Sequence, residues 1–146
     1  AYEGLAELYV ATKYLEKAEE MYKFLLKLHE HEGKAHAGLG KIAKSRGKLR
    51  TAESEYLRAL ARHKFAENHV DLGHIYLAME DHDRAVAQFE SALRFEPASP
   101  KFLDFLLEAS ILSGRKLAAR KIYDRLAKAN PENAKLPEFL ARIEKL

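Results

Sequence analysis

The stretch Glu67–Pro97, which reads ENHVDLGHIYLAMEDHDRAVAQFESALRFEP, sets the pattern for the whole chain because its distinctive residues recur on both sides of it. Its small residue Ala85 and its aromatic residue Phe89 each have counterparts at intervals of 33 or 34 residues. The counterparts are Ala18, Ala52 and Ala119 at the small position, and Tyr22, Tyr56 and Tyr123 at the aromatic position. Self-similarity at such a period is typical of a stacked repeat array. The period therefore decides the fold class before any single motif does.

Each period contains two segments in which apolar residues fall at helical spacing, so each period predicts a pair of helices. The predicted repeats span residues 1–32, 33–65, 66–99 and 100–133, and a capping helix lies within 134–146. Gly47 and Gly114 are expected at the turns inside the second and fourth pairs, where a tight connection needs a permissive backbone. Gly33 is expected at the chain reversal after the first pair, and Asp81 is expected to cap a helix. The prediction is a single all-α array.

Composition sets limits on the class of protein. Of the 146 residues, 47% are hydrophobic and 32% are charged, so the chain can bury a core and is not expected to be disordered. The apolar runs are too short for a membrane span. The lack of Cys excludes disulfides, thiolate zinc sites and thiol catalysis, and it fits a reducing compartment such as the cytoplasm. The chain opens at Ala1 part-way through a repeat, which suggests a piece of a longer protein.

The repeat has a recognisable order of residues. The third copy carries Leu72, Gly73, Tyr76, Ala85, Phe89, Ala92 and Pro97. This series, at this period, resembles the tetratricopeptide repeat. The resemblance covers nearly the whole chain and implies a right-handed α-α superhelix of four helix-turn-helix repeats that binds proteins without catalysis. A physical reason for the pattern is that Gly40 and Gly73 stand where the two helices of a pair cross most closely, so only a small side chain fits.

Some positions depart from the family pattern, and no Trp is present. In the fourth repeat Leu107 stands where glycine is expected and Ser110 where tyrosine is expected. This exchange roughly conserves volume, so it predicts an altered helix crossing in an intact repeat. In the second repeat Ala43 stands at the tyrosine position and both sites are small. We therefore expect a shallow void or a tighter helix approach at Ala43.

The resemblance also implies a binding surface. Tetratricopeptide proteins generally bind extended peptides or helices on the concave side, which is lined by the first helix of each repeat. Carried over by position, this groove is lined by Glu3, Glu7, Val10, Lys34, Ala37, Lys41, Lys44, Val70, His74, Leu77, Lys101, Asp104, Glu108, Ile111 and Leu112. These residues suggest an apolar floor with a rim of both charge signs. The alternative is that they are ordinary solvated helix faces.

One subgroup of the family clamps a C-terminal carboxylate with Lys and Asn side chains of its first helices. Here Glu3 and Glu7 replace such groups, and Gly38 replaces an Asn. Glu67 and Asp71 stand where cations are needed. Because like charges repel, carboxylates at these positions disfavour a clamp of this kind.

Formal charge alternates along the chain: it is −3, +7, −5 and +3 for the four repeats and +1 for the last helix. The second repeat contains a basic patch formed by Lys41, Lys44, Arg46, Lys48 and Arg50. Such a patch attracts an acidic protein, a phosphorylated segment or nucleic acid. Nucleic acid is disfavoured because no aromatic residues alternate with these cations for base stacking and the neighbouring repeats are acidic.

No arrangement for catalysis, metal binding or cofactor binding is recognised. His31 and His36 are five residues apart, whereas a zinc helix of the HExxH type needs its two imidazoles one turn apart. His36 and His69 occupy equivalent positions and are interpreted as packing residues. The leading hypothesis is a non-enzymatic scaffold that binds a protein or peptide partner. The alternative is a structural module that self-associates or docks against other domains of its parent chain.

Overall fold

The computed structural model describes residues 2–146; Ala1, where the predicted first repeat starts, lies outside the described residues. All regular elements within that range are α-helices, which confirms the predicted all-α class. In chain order they are α1 (Tyr2–Ala11), α2 (Leu15–Lys27), α3 (Glu32–Ser45), α4 (Leu49–Arg62), α5 (Ala66–Ala78), α6 (His82–Phe95), α7 (Pro100–Leu112), α8 (Lys116–Ala129) and α9 (Leu136–Glu144). The chain divides into a first unit that ends at Ile75 and a second unit, Tyr76–Leu146. The assignment of residues 1–146 to one array stays a prediction.

The turns inside the four helix pairs share one backbone geometry. Each turn contains one residue with a positive φ: Lys13 (63°), Gly47 (74°), Glu80 (59°) and Gly114 (75°). The next N–H group donates back into the last turn of the first helix, as Lys48 does to the carbonyl of Ala43 at 2.8 Å. This is the Schellman arrangement that ends many helices. The turns predicted at Gly47 and Gly114 are confirmed, and the other two pairs form the same turn without glycine.

The prediction for Gly33 is wrong. The chain reverses at His29 and His31, which have φ values of 53° and 48°. α3 begins at Glu32, so Gly33 lies inside its first turn and is buried. A Cβ at Gly33 would lie 2.5 Å from the His63 ring, so glycine permits close packing there and does not make the turn.

In the first unit, α1 packs on α2, α3 on α4, and α2 on α3. The helix crossing predicted at Gly40 is confirmed, because a Cβ there would lie 2.8 Å from Cε2 of Tyr56 on α4. Ala52 and Tyr56 are both almost fully buried. The small residues of the repeat therefore let the helices approach, and the aromatic residue fills the space beside them.

In the second unit, α7 packs on α6 and α8, and α9 packs on α8 and α7. Asp81 caps α6 as predicted, since its carboxylate accepts from the Arg84 N–H at 3.2 Å. Leu107 and Ser110 are both buried, so the larger side chain at the glycine position occupies space that the smaller one leaves. The exchange leaves the fourth helix pair intact, as expected.

Candidate partner-binding surfaces

The first helices α1, α3 and α5 bring nine of the predicted groove residues into the first unit. The side chains of Glu7, Lys34, Lys41 and Lys44 are exposed, and those of Glu3, Val10, Ala37 and His74 are half-buried. Val70 is only 4% exposed and belongs to the core. We call the eight accessible residues the first-helix face. It is a charged surface with few apolar side chains, so the apolar floor expected from the sequence is small here.

Glu3 joins two helices of this face. Its Oε1 accepts from Nζ of Lys34 at 2.7 Å, and its Oε2 lies 3.1 Å from Nδ1 of His31. The hydrogen bond from Lys34 is the main reason that the pKa of the Glu3 carboxyl lies below its usual value. This contact links α1 to α3 across the boundary between two predicted repeats.

Asp71 on α5 provides a second link. Its carboxylate accepts a hydrogen bond from the hydroxyl of Tyr56 on α4. Burial raises the pKa of Asp71, and the charges of Lys41 and Lys44 oppose that rise. Glu67, one turn earlier on α5, raises the pKa further. The two lysines of the predicted groove therefore face a partly buried carboxyl group that partly neutralises them.

Two of the five cations in the basic patch of the second repeat pair with carboxylates. Arg46 donates to Oε2 of Glu19 at 2.6 Å, and Arg50 lies 3.5 Å from Oε1 of Glu53. Lys48 has no ion pair with any of residues 2–146. The patch therefore presents less net charge than its sequence suggests, and Lys48, a cation without an ion pair, stands at the start of α4.

A cavity of about 160 Å³ lies between α2, α3 and α4 in the first unit. It is lined by Glu19, Lys23, Leu39, Ile42, Ala43, Arg46, Lys48, Thr51 and Glu55. Of the two outcomes expected at Ala43, a shallow void or a tighter helix approach, the structure has the void. The sequence did not predict that the cavity would be bordered by the Arg46–Glu19 ion pair and by Lys48.

In the second unit, α9 engages two carboxylates that were predicted for the groove. Nη1 and Nη2 of Arg142 donate to Glu108, at 2.6 and 3.0 Å, and Nζ of Lys135, the residue before α9, lies 3.5 Å from Oδ1 of Asp104. Among the other predicted residues, Lys101 and Leu112 are exposed, Leu77 is half-buried and Ile111 is buried. These pairs were not predicted from the sequence. A usable signal was present, because Glu3–Lys34 and Asp104–Lys135 share an interval of 31 residues.

Histidine plays a different role from the predicted one at one position. His36 is half-buried and its Nδ1 lies 2.7 Å from Oε2 of Glu55, so it forms a polar contact between α3 and α4 in addition to packing. Among residues 2–146 no three His, Cys, Asp or Glu side chains are grouped as metal ligands. In the same range, every helix is too short or too polar to cross a lipid bilayer.

Comparisons with known proteins agree with the repeat pattern. A family model described as the tetratricopeptide repeat matches residues 70–134. Superkiller protein 3 of Schizosaccharomyces pombe is 30% identical over 148 aligned residues, which cover 99% of this chain and 10% of that protein. The chain thus spans about a tenth of the length of this relative.

Two solved structures illustrate the likeness in fold. A tetratricopeptide repeat protein from Parabacteroides merdae superposes with a TM-score of 0.87 at 20% identity, over 99% of this chain and 58% of that chain. The first tetratricopeptide domain of Spaghetti (RPAP3), bound to the HSP90 peptide SRMEEVD, superposes with a TM-score of 0.66 at 16% identity, over 78% of this chain and 94% of that chain. Residues 70–134 thus belong to the tetratricopeptide repeat family, and the helix pairs before and after them share its repeat period and fold.

Proposed function

We propose that this chain is a non-catalytic module that binds a charged, extended or helical segment of a protein partner on its first-helix face. Tetratricopeptide repeats are generally protein-interaction modules, and the RPAP3 domain is a related fold with a peptide bound. The observation that carries the proposal is the row of charges from three successive first helices, including Glu3 with Lys34 and the pair Lys41 and Lys44 beside Asp71.

This arrangement favours a partner that carries both signs of charge. Ion pairs between exposed side chains contribute only about 0.2–1 kcal/mol each, so a partner can exchange its own charges for them at small cost. Lys34 is exposed, as are Lys41 and Lys44, while the carboxylate of Glu3 is half-buried. The partner would therefore present carboxylates to the lysines. A terminal-carboxylate clamp stays disfavoured because Glu3 and Glu7 stand where such a clamp has cationic and amide groups.

The binding site can be tested by site-resolved cross-linking. A photo-reactive benzophenone amino acid replaces Ala37, which lies between the exposed lysines of α3, and in a matched variant it replaces the exposed Leu57 of α4. A partner that binds the first-helix face would cross-link from position 37 and not from position 57. Cross-linking from position 57 alone would place the site on the second helices.

Purified partner then allows a quantitative test by calorimetry. The double variant Lys41→Glu/Lys44→Glu should weaken binding at least about tenfold, which corresponds to 1.4 kcal/mol. The control Lys121→Glu/Lys128→Glu reverses two exposed cations of α8 and should change the affinity by less than about twofold. The peptide SRMEEVD serves as a probe for the clamp. Its tight binding to the unaltered chain, lost in the first variant, would replace our proposal by a clamp.

A specific observation supports self-association or docking of a further domain as a second candidate. The first helix pair and the residues that flank its helices expose six large apolar side chains: Tyr2 (47%), Leu5 (37%), Leu8 (56%), Tyr14 (61%), Phe24 (40%) and Leu28 (46%). Clustered exposed apolar side chains are typical of an interface. Light scattering over a range of concentrations separates these cases, and Leu8→Glu should return any dimer to monomer. A cytoplasmic location is likewise a proposal, which rests only on the lack of Cys.

A further inference from the structure

In each repeat, the tyrosine position of the first helix and the residue eight places after it change together. At Tyr9, Nζ of Lys17 lies 5.8 Å from the centre of the ring. At Tyr76, Cζ of Arg84 lies 5.7 Å from the ring centre. The corresponding pairs in the other two repeats are Ala43 with Thr51 and Ser110 with Ala118. The aromatic ring and the cation over it are therefore both present or both absent.

The two repeats without the ring differ in what replaces it. In the fourth repeat Leu107 stands at the glycine position, and both Leu107 and Ser110 are almost fully buried, so the space is filled. In the second repeat the glycine position is occupied by Gly40, whose lack of a side chain admits the ring of Tyr56. Nothing in the second repeat replaces the missing tyrosine. The cavity of about 160 Å³ at Ala43 and Thr51 is the result.

The size of this cavity matches one aromatic ring. An apolar protein cavity of about 150 Å³ is known to accommodate benzene. Leu39, Ile42 and Ala43 supply apolar walls to the cavity. The same backbone position in two other repeats holds a tyrosine ring, so the surrounding helix geometry is compatible with a ring of this type.

The charged side chains at the border of the cavity determine which groups can lie beside a bound aromatic ring. Three cations and two carboxylates line the cavity: Lys23, Arg46 and Lys48 with Glu19 and Glu55. Glu19 pairs with both Lys23 and Arg46, at 2.7 and 2.6 Å. Lys48 has no carboxylate partner among residues 2–146 and remains available to an anion.

We propose that the cavity at Ala43 receives a phenylalanine or tyrosine side chain of a protein partner, and that an acidic residue beside this aromatic residue contacts Lys48. This contact is separate from the first-helix face, because α2 and α4 contribute to it together with the other side of α3. It can therefore succeed or fail independently of the function proposed above. An aromatic side chain from a second copy of this chain is a competing occupant, which the test distinguishes.

The test uses 4-hydroxyphenylacetate as a probe, because it combines the ring with a carboxylate, and p-cresol as a probe without the charge. Titration of the isotope-labelled chain, followed by NMR, should shift the amide signals of Ala43 and Thr51. Ala43→Tyr should weaken probe binding at least about tenfold, because the new ring occupies the cavity. Ala43→Met, whose flexible side chain fills the cavity without a fixed shape, provides the same test if the tyrosine variant does not fold.

Two further variants separate charge from shape. Lys48→Gln should weaken binding of 4-hydroxyphenylacetate several-fold and leave p-cresol unchanged. Arg50→Gln is the control, because Arg50 lies on the same turn, pairs with Glu53 and does not line the cavity. Lys41→Glu/Lys44→Glu should leave both probes unchanged, which keeps this test independent of the first-helix face.

A peptide pair then tests the partner chemistry. A five-residue peptide with a central tyrosine between glutamates should bind, and the same peptide with a central alanine should not. Binding that survives Ala43→Tyr and Ala43→Met, or amide shifts confined to other regions, would overturn the proposal. Dimerisation that Ala43→Tyr abolishes, with no binding of the tyrosine peptide, would also overturn it in favour of a second copy as occupant.

Discussion

Two junctions in the first unit, each a contact between the second helix of one repeat and the first helix of the next, use the same repeat position in different ways. Tyr22 of α2 lies against Gly38 of α3, where an added Cβ would overlap its ring. One repeat later, Tyr56 of α4 donates its hydroxyl hydrogen bond to Asp71 of α5. Gly38 and Asp71 are equivalent positions, 33 residues apart. The aromatic residue therefore fixes how the two helices align at each junction. The residue that it contacts decides whether the contact is close packing alone or includes a hydrogen bond.

A third junction, within the second unit, supports this reading. Phe89 occupies the same position as the two tyrosines, and the centre of its ring lies 5.6 Å from that of Phe105. Phe105 is the equivalent of Gly38 and Asp71. One backbone arrangement thus accepts a glycine, a carboxylate and a phenyl ring as the contacted residue. Because the aromatic side chain recurs while the residue that it contacts varies, a substitution of the contacted residue can alter the stability of one junction separately from the others.

The largest effect on stability is expected when the aspartate of one junction is placed at the glycine position of the other. Gly38→Asp would force a side chain into the ring of Tyr22 and place a carboxylate in a buried position. The free energy of unfolding should fall by about 2–4 kcal/mol, since overpacking and burial of an unpaired charge both cost stability. Urea denaturation measures this change. Gly4→Asp is the control, because a Cβ at Gly4 meets no atom within 4 Å, and it should change stability by less than about 0.5 kcal/mol.

An intermediate effect is expected at the phenyl junction. Phe105→Ala removes a half-buried ring that contacts Phe89 and should lower the free energy of unfolding by about 2 kcal/mol. Leu117→Ala provides the control, because Leu117 is 82% exposed and loses little buried surface on truncation. Equal losses in the two variants would mean that the ring contact does not stabilise the second unit.

Most of the helix positions could be predicted from the sequence, because the repeat period locates the buried residues even when their contacts are unknown. The sequence did not contain the partners of those residues. Tyr56 and Asp71 lie on different helices, α4 and α5, and only the structure shows that the hydroxyl group of one meets the carboxyl group of the other. The chain reversal at His29 and His31 was missed for another reason. Histidine adopts a positive φ less often than glycine, so residue type alone favoured the nearby Gly33 as the residue of the chain reversal.

For the candidate surfaces, the sequence located the void at Ala43 because that prediction needed only volumes at equivalent positions. It did not show which charges would be paired. The basic patch contains five cations in the sequence, yet Arg46 and Arg50 pair with carboxylates of α2 and α4. Such pairs depend on which side of each helix meets the next one, and composition by repeat does not carry that information.

A smaller effect is expected from the two tyrosine hydroxyl groups. Tyr56→Phe removes the donor to Asp71 and should lower the free energy of unfolding by about 1 kcal/mol. Tyr22→Phe should be nearly neutral, because the Tyr22 ring lies against Gly38 and its hydroxyl group has no side-chain partner among residues 2–146. Chemical denaturation of both variants measures the difference. Equal losses would show that the two junctions do not differ in polarity.

The smallest effect concerns the charge of Asp71 and is best seen as a dependence on pH. Burial raises the pKa of Asp71 above its ordinary 3.8, with Glu67 acting in the same direction and Lys41 and Lys44 against it. A carboxyl group whose pKa is higher in the folded state stabilises the fold when protonated. That contribution is present below the unfolded pKa and is lost as the pH rises through the folded pKa. Asp71→Asn keeps a neutral acceptor for Tyr56 at every pH and does not undergo this loss.

The variant should therefore be more stable than the unaltered chain at pH 7, by about 1–3 °C in melting temperature, and the difference should shrink towards pH 3. Glu3 and Glu19 have lowered pKa values, so both proteins lose stability as the pH falls through the folded pKa of these groups. Only the difference between the two melting curves isolates Asp71. An unaltered chain that is the more stable one at pH 7 would show that attraction to Lys41 and Lys44 outweighs burial. The second junction would then be an ion-paired contact, and charge as well as the Tyr56 hydrogen bond would separate it from the glycine junction.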